Sequence, residues 1–92
     1  MELSQLEIYT AAAEERSFSA AADRLYISHS TVSRTVLALE EELGVQLIRR
    51  SNRLIELTAA GKELLTQARA LLRARDEAIN AVRRSAERGK EI

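Results

Sequence analysis

The feature that most constrains this chain is a long run, from Thr58 to about Arg88, in which nothing interrupts a helical pattern except Gly61 in the first turn. Thr58 can cap this helix, whose length would be about 45 Å at a rise of about 1.5 Å per residue. Because the whole chain has 92 residues, the preceding part is one small domain that cannot cover such a helix along its full length. We therefore predict two parts, a small domain in residues 1–58 and a linker helix in residues 59–92.

The apolar residues of the long helix recur at alternating steps of three and four, which is the pattern of a seam between paired helices. Arg75 is the one polar interruption in this pattern. Its side chain either bends outward along its aliphatic stem or fixes the register of pairing. We expect this seam to contact a partner helix, through Leu65, Ala68, Leu72, Ile79 and Val82.

Composition indicates a mainly helical protein and excludes several kinds of site. Proline is absent and there are three glycines, while alanine, leucine, glutamate and arginine dominate. With no cysteine and one histidine, neither a disulfide nor a metal site of the usual ligands can be built, so we expect no metal and no cofactor. No apolar run is long enough for a signal peptide or a membrane span, so we expect a reducing, cytoplasmic setting and no membrane partner.

Three shorter helices are predicted before the long one. Ser4 and Glu7 have the spacing of a capping box and would start the first helix, which runs to about Glu15. Ser17 can cap a short second helix, and Ser28 has the right chemistry to cap a third. Two short helices joined by a tight turn favour a helix-turn-helix.

The third helix is predicted to end at Gly44, because glycine readily takes the left-handed conformation at a helix C-terminus. Its apolar residues repeat at steps of four, three and four and are expected to face inward: Val32, Val36, Leu39 and Leu43. Residues 45–57 indicate two short strands joined by a turn, with Ser51 and Asn52 at the tip. We therefore predict a mainly α fold, a winged helix-turn-helix of three helices plus a two-stranded wing.

The outer face of the third helix carries small polar groups and one arginine, which suits the major groove of DNA. Slim side chains let the backbone approach the bases, and Arg34 can make a two-pronged bond to guanine. The helix N-terminus favours phosphate through its free amides. The candidate contacts on this face are Ser28, His29, Ser30, Ser33, Arg34 and Leu37.

The predicted hairpin is basic, since residues 49–53 contain three arginines and no acid. Such a tip suits DNA phosphates or a narrow minor groove, where an inserted arginine is favoured electrostatically. Arg50 and Arg53 are the candidate contacts, and Arg53 is the one expected to enter the groove. The alternative is that Arg49 or Arg50 pairs with the acidic run in residues 40–42.

Three motifs in the expected order resemble LysR-type transcriptional regulators. They are SFSAAADRLYISHSTVSR in residues 17–34, LEEELGVQLIRR in residues 39–50 and LTAAG in residues 57–61. The resemblance, which spans roughly residues 1–65, implies a winged helix-turn-helix with the helix-turn-helix proper at about residues 18–37. It implies sequence-specific binding of double-stranded DNA by a homodimer, paired through the long helix, that recognises an interrupted inverted repeat. Members of that family usually carry glutamine where this chain has His29 and often proline where it has Ser30, so the resemblance implies no base preference at these two positions.

The resemblance also implies a further domain in the full-length protein. Family members continue into a large effector-binding domain with a periplasmic-binding-protein fold, and nothing in these 92 residues corresponds to it. The chain therefore resembles a DNA-binding domain with its linker helix.

Two other classes of function are alternatives to DNA binding. A protein-interaction module is one, since Leu37 would be an apolar residue on the outer face of the third helix. An enzyme is disfavoured, because one histidine, no cysteine and only two aspartates, Asp23 and Asp76, do not furnish a nucleophile, a metal site or an acid-base cluster.

Overall fold

The computed structural model describes residues 1–51 and 54–89. Within these ranges the fold has four helices and a two-stranded antiparallel sheet, in the order α1 (Leu3–Glu15), α2 (Phe18–Leu25), α3 (His29–Leu43), β1 (Ile48–Ser51), β2 (Leu54–Leu57) and α4 (Ala59–Gly89). The molecule measures 61 × 26 × 18 Å, because α4 extends beyond the other elements. The predicted winged helix-turn-helix with a long C-terminal helix is confirmed.

The start of α1 differs from the prediction. The helix begins at Leu3, and the backbone N–H of Glu2 donates to Gln5 Oε1 at 2.8 Å, so the capping box is formed by Glu2 and Gln5. The predicted box of Ser4 and Glu7 is wrong, because the Glu7 carboxylate is engaged in an ion pair with Arg75 of α4 instead. Gln5, which reaches back to a backbone amide, performs the same role two residues earlier than expected.

The caps of α2 and α3 follow the sequence. Ser17 Oγ accepts from the backbone N–H of Ala20 at 3.1 Å, and Ser28 Oγ accepts from that of Thr31 at 3.1 Å. At the end of α3, Gly44 has a φ of +69° and donates its backbone N–H to the Glu40 carbonyl at 2.9 Å. These contacts satisfy backbone groups that a helix end otherwise leaves without partners, and they fix where α3 begins and ends.

One core lies between α1, α2, α3 and the inner part of α4. Val32, Val36 and Leu39 of α3 are buried in it, as predicted. Leu43 is a correction: it is 40% exposed, because α3 extends beyond the edge of the core by its last turn. The apolar side chains of α1 and α2 that are buried are Leu6, Tyr9, Ala11, Ala12, Ala13, Phe18, Ala21 and Ala22.

The wing is an antiparallel pair in which Ile48 lies opposite Leu57 and Ser51 opposite Leu54. Ser51 is therefore the last residue of β1, which corrects its predicted place at the tip of the turn, because the ladder continues one residue further than expected. Asn52, also predicted at the tip, lies outside the described residues. Leu47 and Ile48 are buried at the base of the wing and join it to the core.

The start of α4 is fixed by contacts with the rest of the domain. Thr58 Oγ1 accepts from the backbone N–H of Gly61 at 3.0 Å, which confirms the predicted cap. The phenol of Tyr9 donates to the Gly61 carbonyl at 2.7 Å. Burial, with a further contribution from the negative charge of Glu40, raises the pKa of Tyr9 to about 12. A Cβ at Gly61 would lie 2.1 Å from the Leu47 carbonyl oxygen, so only glycine permits this close approach.

The two halves of α4 have different surroundings. In the inner half, residues 59–75, Gly61, Leu64 and Ala68 are buried, and Leu65 and Leu72 pack against the core. In the outer half, residues 76–89, every residue is exposed. The prediction that Ala68 contacts a second copy is wrong, because Ala68 is fully buried in the core of its own chain.

Arg75 marks the boundary between these halves. Its guanidinium pairs with the carboxylates of Glu7 on α1 and of Asp76. The sequence left two possibilities open for Arg75: its side chain bends outward to solvent, or it fixes the register of helix pairing. Neither describes these ion pairs. Arg75 binds the inner half of α4 to α1, because the face on which it lies is turned toward its own domain.

Candidate nucleic-acid interface

The outer face of α3 is accessible, as its amphipathic sequence predicts. Val32, Val36 and Leu39 are buried on the opposite side of the helix. The candidate contacts Ser28, His29, Ser30, Arg34 and Leu37 are exposed, while Ser33 is half-buried. Because the three buried aliphatic residues fix the rotation of the helix, the polar face is held in one orientation toward solvent.

The N-terminal turn of α3 is a cluster of hydroxyl groups. Besides capping the helix, Ser28 Oγ lies 2.7 Å from Thr31 Oγ1 and 3.3 Å from Ser30 Oγ. The Ser28 hydroxyl is thus occupied by contacts within the turn, whereas Ser30 and His29 extend from its exposed end. Such a turn combines free backbone amides with small donors, which is the arrangement that accepts phosphate or base edges.

Arg50 of β1 lies against α3 and α2. Its guanidinium carbon lies 4.8 Å from the centroid of the Phe18 ring, and Nη2 donates to Ser33 Oγ at 3.3 Å. The imidazole of His29 packs edge-on against the same ring, with centroids 5.8 Å apart and planes at 62°. The structure therefore brings together Arg50, Ser33 and His29, three of the predicted site residues, around one aromatic side chain.

Phe18 is the residue that the sequence analysis missed at this site. Phe18 is 7% exposed, and its place in the apolar spacing of α2 is that of an ordinary core residue. Nothing in the sequence pairs it with an arginine thirty-two positions later, since that contact depends on how the wing folds back over the helices. The one signal that could have suggested this contact is the presence of an aromatic residue close to the exposed face of α3.

The rest of the wing is only partly described. Arg49 is exposed and lies opposite Glu56 in the sheet, and Leu54 at the start of β2 is 63% exposed. The predicted pairing of Arg49 or Arg50 with the acidic run in residues 40–42 is not found among the described ion pairs. Instead, one carboxylate oxygen of Glu40 accepts from the backbone N–H groups of Leu47, at 2.8 Å, and Ile48, at 3.4 Å. Arg53, the residue expected to enter the minor groove, lies outside the described residues.

Other kinds of site find little support in the described part of the chain. No group of three or more histidine, aspartate or glutamate side chains there could hold a metal ion. Nor does any described helix have both the length and the apolar character needed to cross a membrane. The described residues instead form an exposed helix face with a basic wing strand beside it.

Comparison with known proteins identifies the family. Residues 3–62 match the model of the bacterial regulatory helix-turn-helix protein, lysR family. The chain belongs to the LysR family. Its fold is that of LysR DNA-binding domains: it superposes with a TM-score of 0.89 on the structure described as a CbnR_DBD-DNA complex, at 43% identity, covering 94% of this chain and 99% of that one. A BenM_DBD/catB site 1 DNA complex is similar, with a TM-score of 0.90, 40% identity and coverage of 94% and 97%.

Among curated LysR-family relatives, the HTH-type transcriptional regulator ClcR of Pseudomonas putida is 47% identical over 91 residues, which is 98% of this chain and 30% of that protein. The regulator AlsR of Bacillus subtilis is 41% identical over 86 residues, 94% of this chain and 28% of its own length. This chain thus spans about 30% of the length of the relatives it matches. The proteins it resembles are named as transcriptional regulators.

Proposed function

We propose that this chain is the DNA-binding domain of a LysR-type transcriptional regulator and binds double-stranded DNA in a sequence-specific way. The observation that carries the proposal is the division of α3 into two faces, with Val32, Val36 and Leu39 buried and Ser30, Arg34 and Leu37 exposed. An exposed helix of this kind can enter the major groove, where base edges are distinguishable. The two similar structures described as complexes with DNA support the same conclusion.

Each candidate contact has a role that follows from its position. Arg34 lies on the exposed face, where its guanidinium can donate two parallel hydrogen bonds to guanine. Ser30 and His29, at the exposed start of α3, can bind phosphate or a base edge. Leu37, 53% exposed, can contact a thymine methyl group. Arg50 and Arg53 place positive charge on the wing, which we assign to the adjacent phosphates and the minor groove.

We further propose that the protein is a homodimer through α4, with each protomer reading one half-site of an interrupted inverted repeat. The exposed apolar residues of α4 that support this are Leu71, Ile79 and Val82, at 43%, 42% and 68% exposure. Leu71 was not among the predicted seam residues. Leu65 and Leu72 pack mainly on their own core, so the proposed contact with a second copy shifts toward the outer half.

The remaining expectations concern the protein of which this chain forms a part. We propose residues 1–58 as the DNA-binding unit, residues 59–92 as the linker helix, and an effector-binding domain beyond them in the full-length protein. Since the partner is genomic DNA, we place the protein in the cytoplasm. We propose no enzymatic activity, since the site consists of a helix face and a wing rather than a cleft with a nucleophile or an acid-base pair.

Selection of binding sites from a library of random duplexes tests the proposal directly. We expect wild-type chain to enrich a two-part motif, and its affinity for the enriched duplex to fall steeply with added salt. In the variant Arg34→Ala, binding to that duplex should weaken by about 1 to 3 kcal/mol, with lost discrimination at one base pair. Arg84→Ala, which removes the same charge from the exposed outer half of α4, is the matched control and should retain the motif.

A protein-interaction module is the competing function, because Leu37, Leu43 and Val45 are all at least 40% exposed near the end of α3. An apolar surface of this kind can bind a partner protein. The same experiment separates the two functions. A protein-interaction module predicts no enriched motif and weak binding that is equal for every duplex, and that result would refute the proposed DNA reading.

A further inference from the structure

The guanidinium of Arg50 is held from two sides before any DNA is bound. One side faces the ring of Phe18, 4.8 Å from its centroid, and one edge donates to Ser33 Oγ at 3.3 Å. An arginine that contacts only phosphates has no need of either partner, because it can extend freely into solvent. Here the exposed side chain of a wing residue ends against α2 and α3.

Phe18 is a rigid base for this arrangement. Its side chain is 7% exposed and lies in the core, so its ring cannot move without disturbing the packing between α2 and α3. The planar guanidinium is attracted to the face of an aromatic ring and stacks on it, which an ammonium group does less well. The position of Arg50 is therefore set by the helix-turn-helix and not by the wing alone.

A second polar tie joins α3 to the wing at the other end of the same cleft. The Glu40 carboxylate accepts from the backbone N–H groups of Leu47 and Ile48, near the base of β1. Between the two ties the cleft is lined by Val36, Leu37 and Gln46, among others. Glu40 thus fixes where β1 begins relative to α3, and Arg50 fixes the outer part of the strand.

The bond from Arg50 also determines what Ser33 can offer to DNA. A hydroxyl group has one hydrogen to donate and two lone pairs. Because Ser33 Oγ accepts from Arg50, its own hydrogen remains available to donate. Ser33 lies on the outer face of α3, so this hydrogen can reach an acceptor on a base edge, such as purine N7, guanine O6 or thymine O4.

We propose that Arg50 is a positioning residue for sequence reading: held by Phe18 and bonded to Ser33, it orients the wing against α3 and presents Ser33 as a hydrogen-bond donor to the DNA. This inference rests on the proposed function and deepens it. A purely electrostatic role for Arg50 makes the opposite prediction, because any cation at that position would then serve. Lysine retains the charge but cannot reproduce the planar stack together with the bond.

The test compares Arg50→Lys with wild type on two duplexes: one enriched from a random library by the wild-type chain, and one scrambled duplex of equal composition. The measured quantities are the ratio of the two dissociation constants and the dependence of binding on salt. We expect the ratio to fall about tenfold in Arg50→Lys, on the scale of one lost base discrimination, while the salt dependence stays unchanged because the charge is retained. Arg49→Lys, the same substitution at the neighbouring residue of β1, is the matched control and should keep the wild-type ratio.

Two further variants show whether the effect passes through Ser33 and Phe18. Ser33→Ala should lower the ratio to a similar extent, and the double variant Arg50→Lys with Ser33→Ala should lose less than the sum of the two single losses. Phe18→Leu keeps an apolar side chain in the core but removes the ring, and it should also reduce the ratio. Thermal unfolding of each variant establishes that the chain is folded when its binding is measured.

The outcomes separate this inference from the function on which it rests. If wild type prefers its enriched duplex and Arg50→Lys keeps that preference, Arg50 acts only through its charge and the positioning role is overturned. Additive losses in the double variant would overturn it as well, since the two residues would then act independently. If wild type itself shows no preference between the duplexes, the proposed function fails and the inference fails with it.

Discussion

The inner and outer halves of α4 have the same kind of sequence and opposite surroundings. In the inner half, Gly61, Leu64 and Ala68 are buried, and Arg69 and Arg75 form ion pairs with glutamates of α1. In the outer half every residue from Asp76 to Gly89 is exposed, although Ile79 and Val82 continue the apolar spacing. The difference shows that periodicity identifies a helix face that needs a partner but not which chain supplies that partner.

The polar contacts follow the same division. Glu14 of α1 pairs with Arg24 of α2 and with Arg69 of α4, both at 2.9 Å. The hydrogen bonds from Arg69 and then from Arg24 hold the pKa of the Glu14 carboxyl below its ordinary value. One carboxylate thus joins three helices, since its two arginine partners lie on α2 and α4. No such tie to another element is found in the described outer half.

Substitution of glutamate for one apolar residue in each half should give the largest difference between the two halves of α4. Ala68→Glu places a carboxylate in the core without a partner, and we expect the free energy of unfolding to fall by about 4 kcal/mol or more. Ile79→Glu lies on the exposed outer half and should leave the stability of the protomer within about 0.5 kcal/mol of wild type while abolishing self-association. Urea denaturation at low protein concentration and sedimentation measure the two effects.

Two results would contradict these expectations for Ala68→Glu and Ile79→Glu. Equal loss of stability in both variants would mean that the outer half folds only as part of the dimer. An unchanged sedimentation coefficient in Ile79→Glu, with wild type dimeric, would remove Ile79 from the proposed interface.

A methyl group added at Gly61 or at Gly89 should also affect the stability of the protein differently in the two halves of α4. In Gly61→Ala the new Cβ would meet the Leu47 carbonyl oxygen at 2.1 Å and the Tyr9 hydroxyl at 3.0 Å, whereas at Gly89 it would meet nothing within 4 Å. We expect Gly61→Ala to destabilise the fold by about 3 kcal/mol, since backbone must move to admit the methyl group. Gly89→Ala should be neutral or slightly stabilising, and thermal unfolding of the two variants side by side checks both statements.

The hydrogen bond from Tyr9 to Gly61 predicts a smaller effect with a definite pH dependence. Tyr9→Phe removes a buried bond of 2.7 Å and leaves the carbonyl without that donor, which should cost about 1 to 2 kcal/mol at neutral pH. Because the folded pKa of Tyr9, about 12, lies above the ordinary tyrosine value of 10.0, its contribution is present below pH 10 and is lost as pH rises toward 12. The gap between wild type and Tyr9→Phe should therefore narrow across that range in alkaline denaturation.

Glu14→Gln should have the smallest effect of the series. The folded pKa of Glu14 lies below its ordinary value, so the ion pairs stabilise the fold above the unfolded pKa, and this stabilisation is lost as pH falls through the folded one. Since both arginines are more than two-fifths exposed, the difference at neutral pH should be less than about 1 kcal/mol. Unfolding curves at pH 7 and pH 3 measure it, and a difference that grows toward low pH would contradict the assignment.

Local sequence signals predicted most of the fold because each depends on neighbours along the chain. Ser17, Ser28 and Thr58 cap their helices, and Gly44 ends α3 in the left-handed conformation, as their chemistry requires. The predictions that were wrong depend on contacts between residues that are distant in sequence. Glu7 was predicted to cap α1, but Arg75, sixty-eight positions later, pairs with its carboxylate.

The candidate site shows the same limit. The outer face of α3 could be predicted from the spacing of Val32, Val36 and Leu39, because that spacing determines which side is buried. The association of Arg50 with Phe18 and Ser33 could not, since it requires the wing to fold back over two helices. Sequence therefore identified the exposed face of α3 but not the contacts that Arg50 makes beside it.

Methylation interference on the enriched duplex tests most directly whether α3 enters the major groove. Dimethyl sulfate methylates guanine at N7 in the major groove and adenine at N3 in the minor groove. We predict that N7 methylation of a guanine within each half-site excludes the duplex from complexes with wild-type chain, and that Arg34→Ala loses this discrimination. Complexes that contain every N7-methylated guanine at the same frequency as free DNA would contradict the central claim.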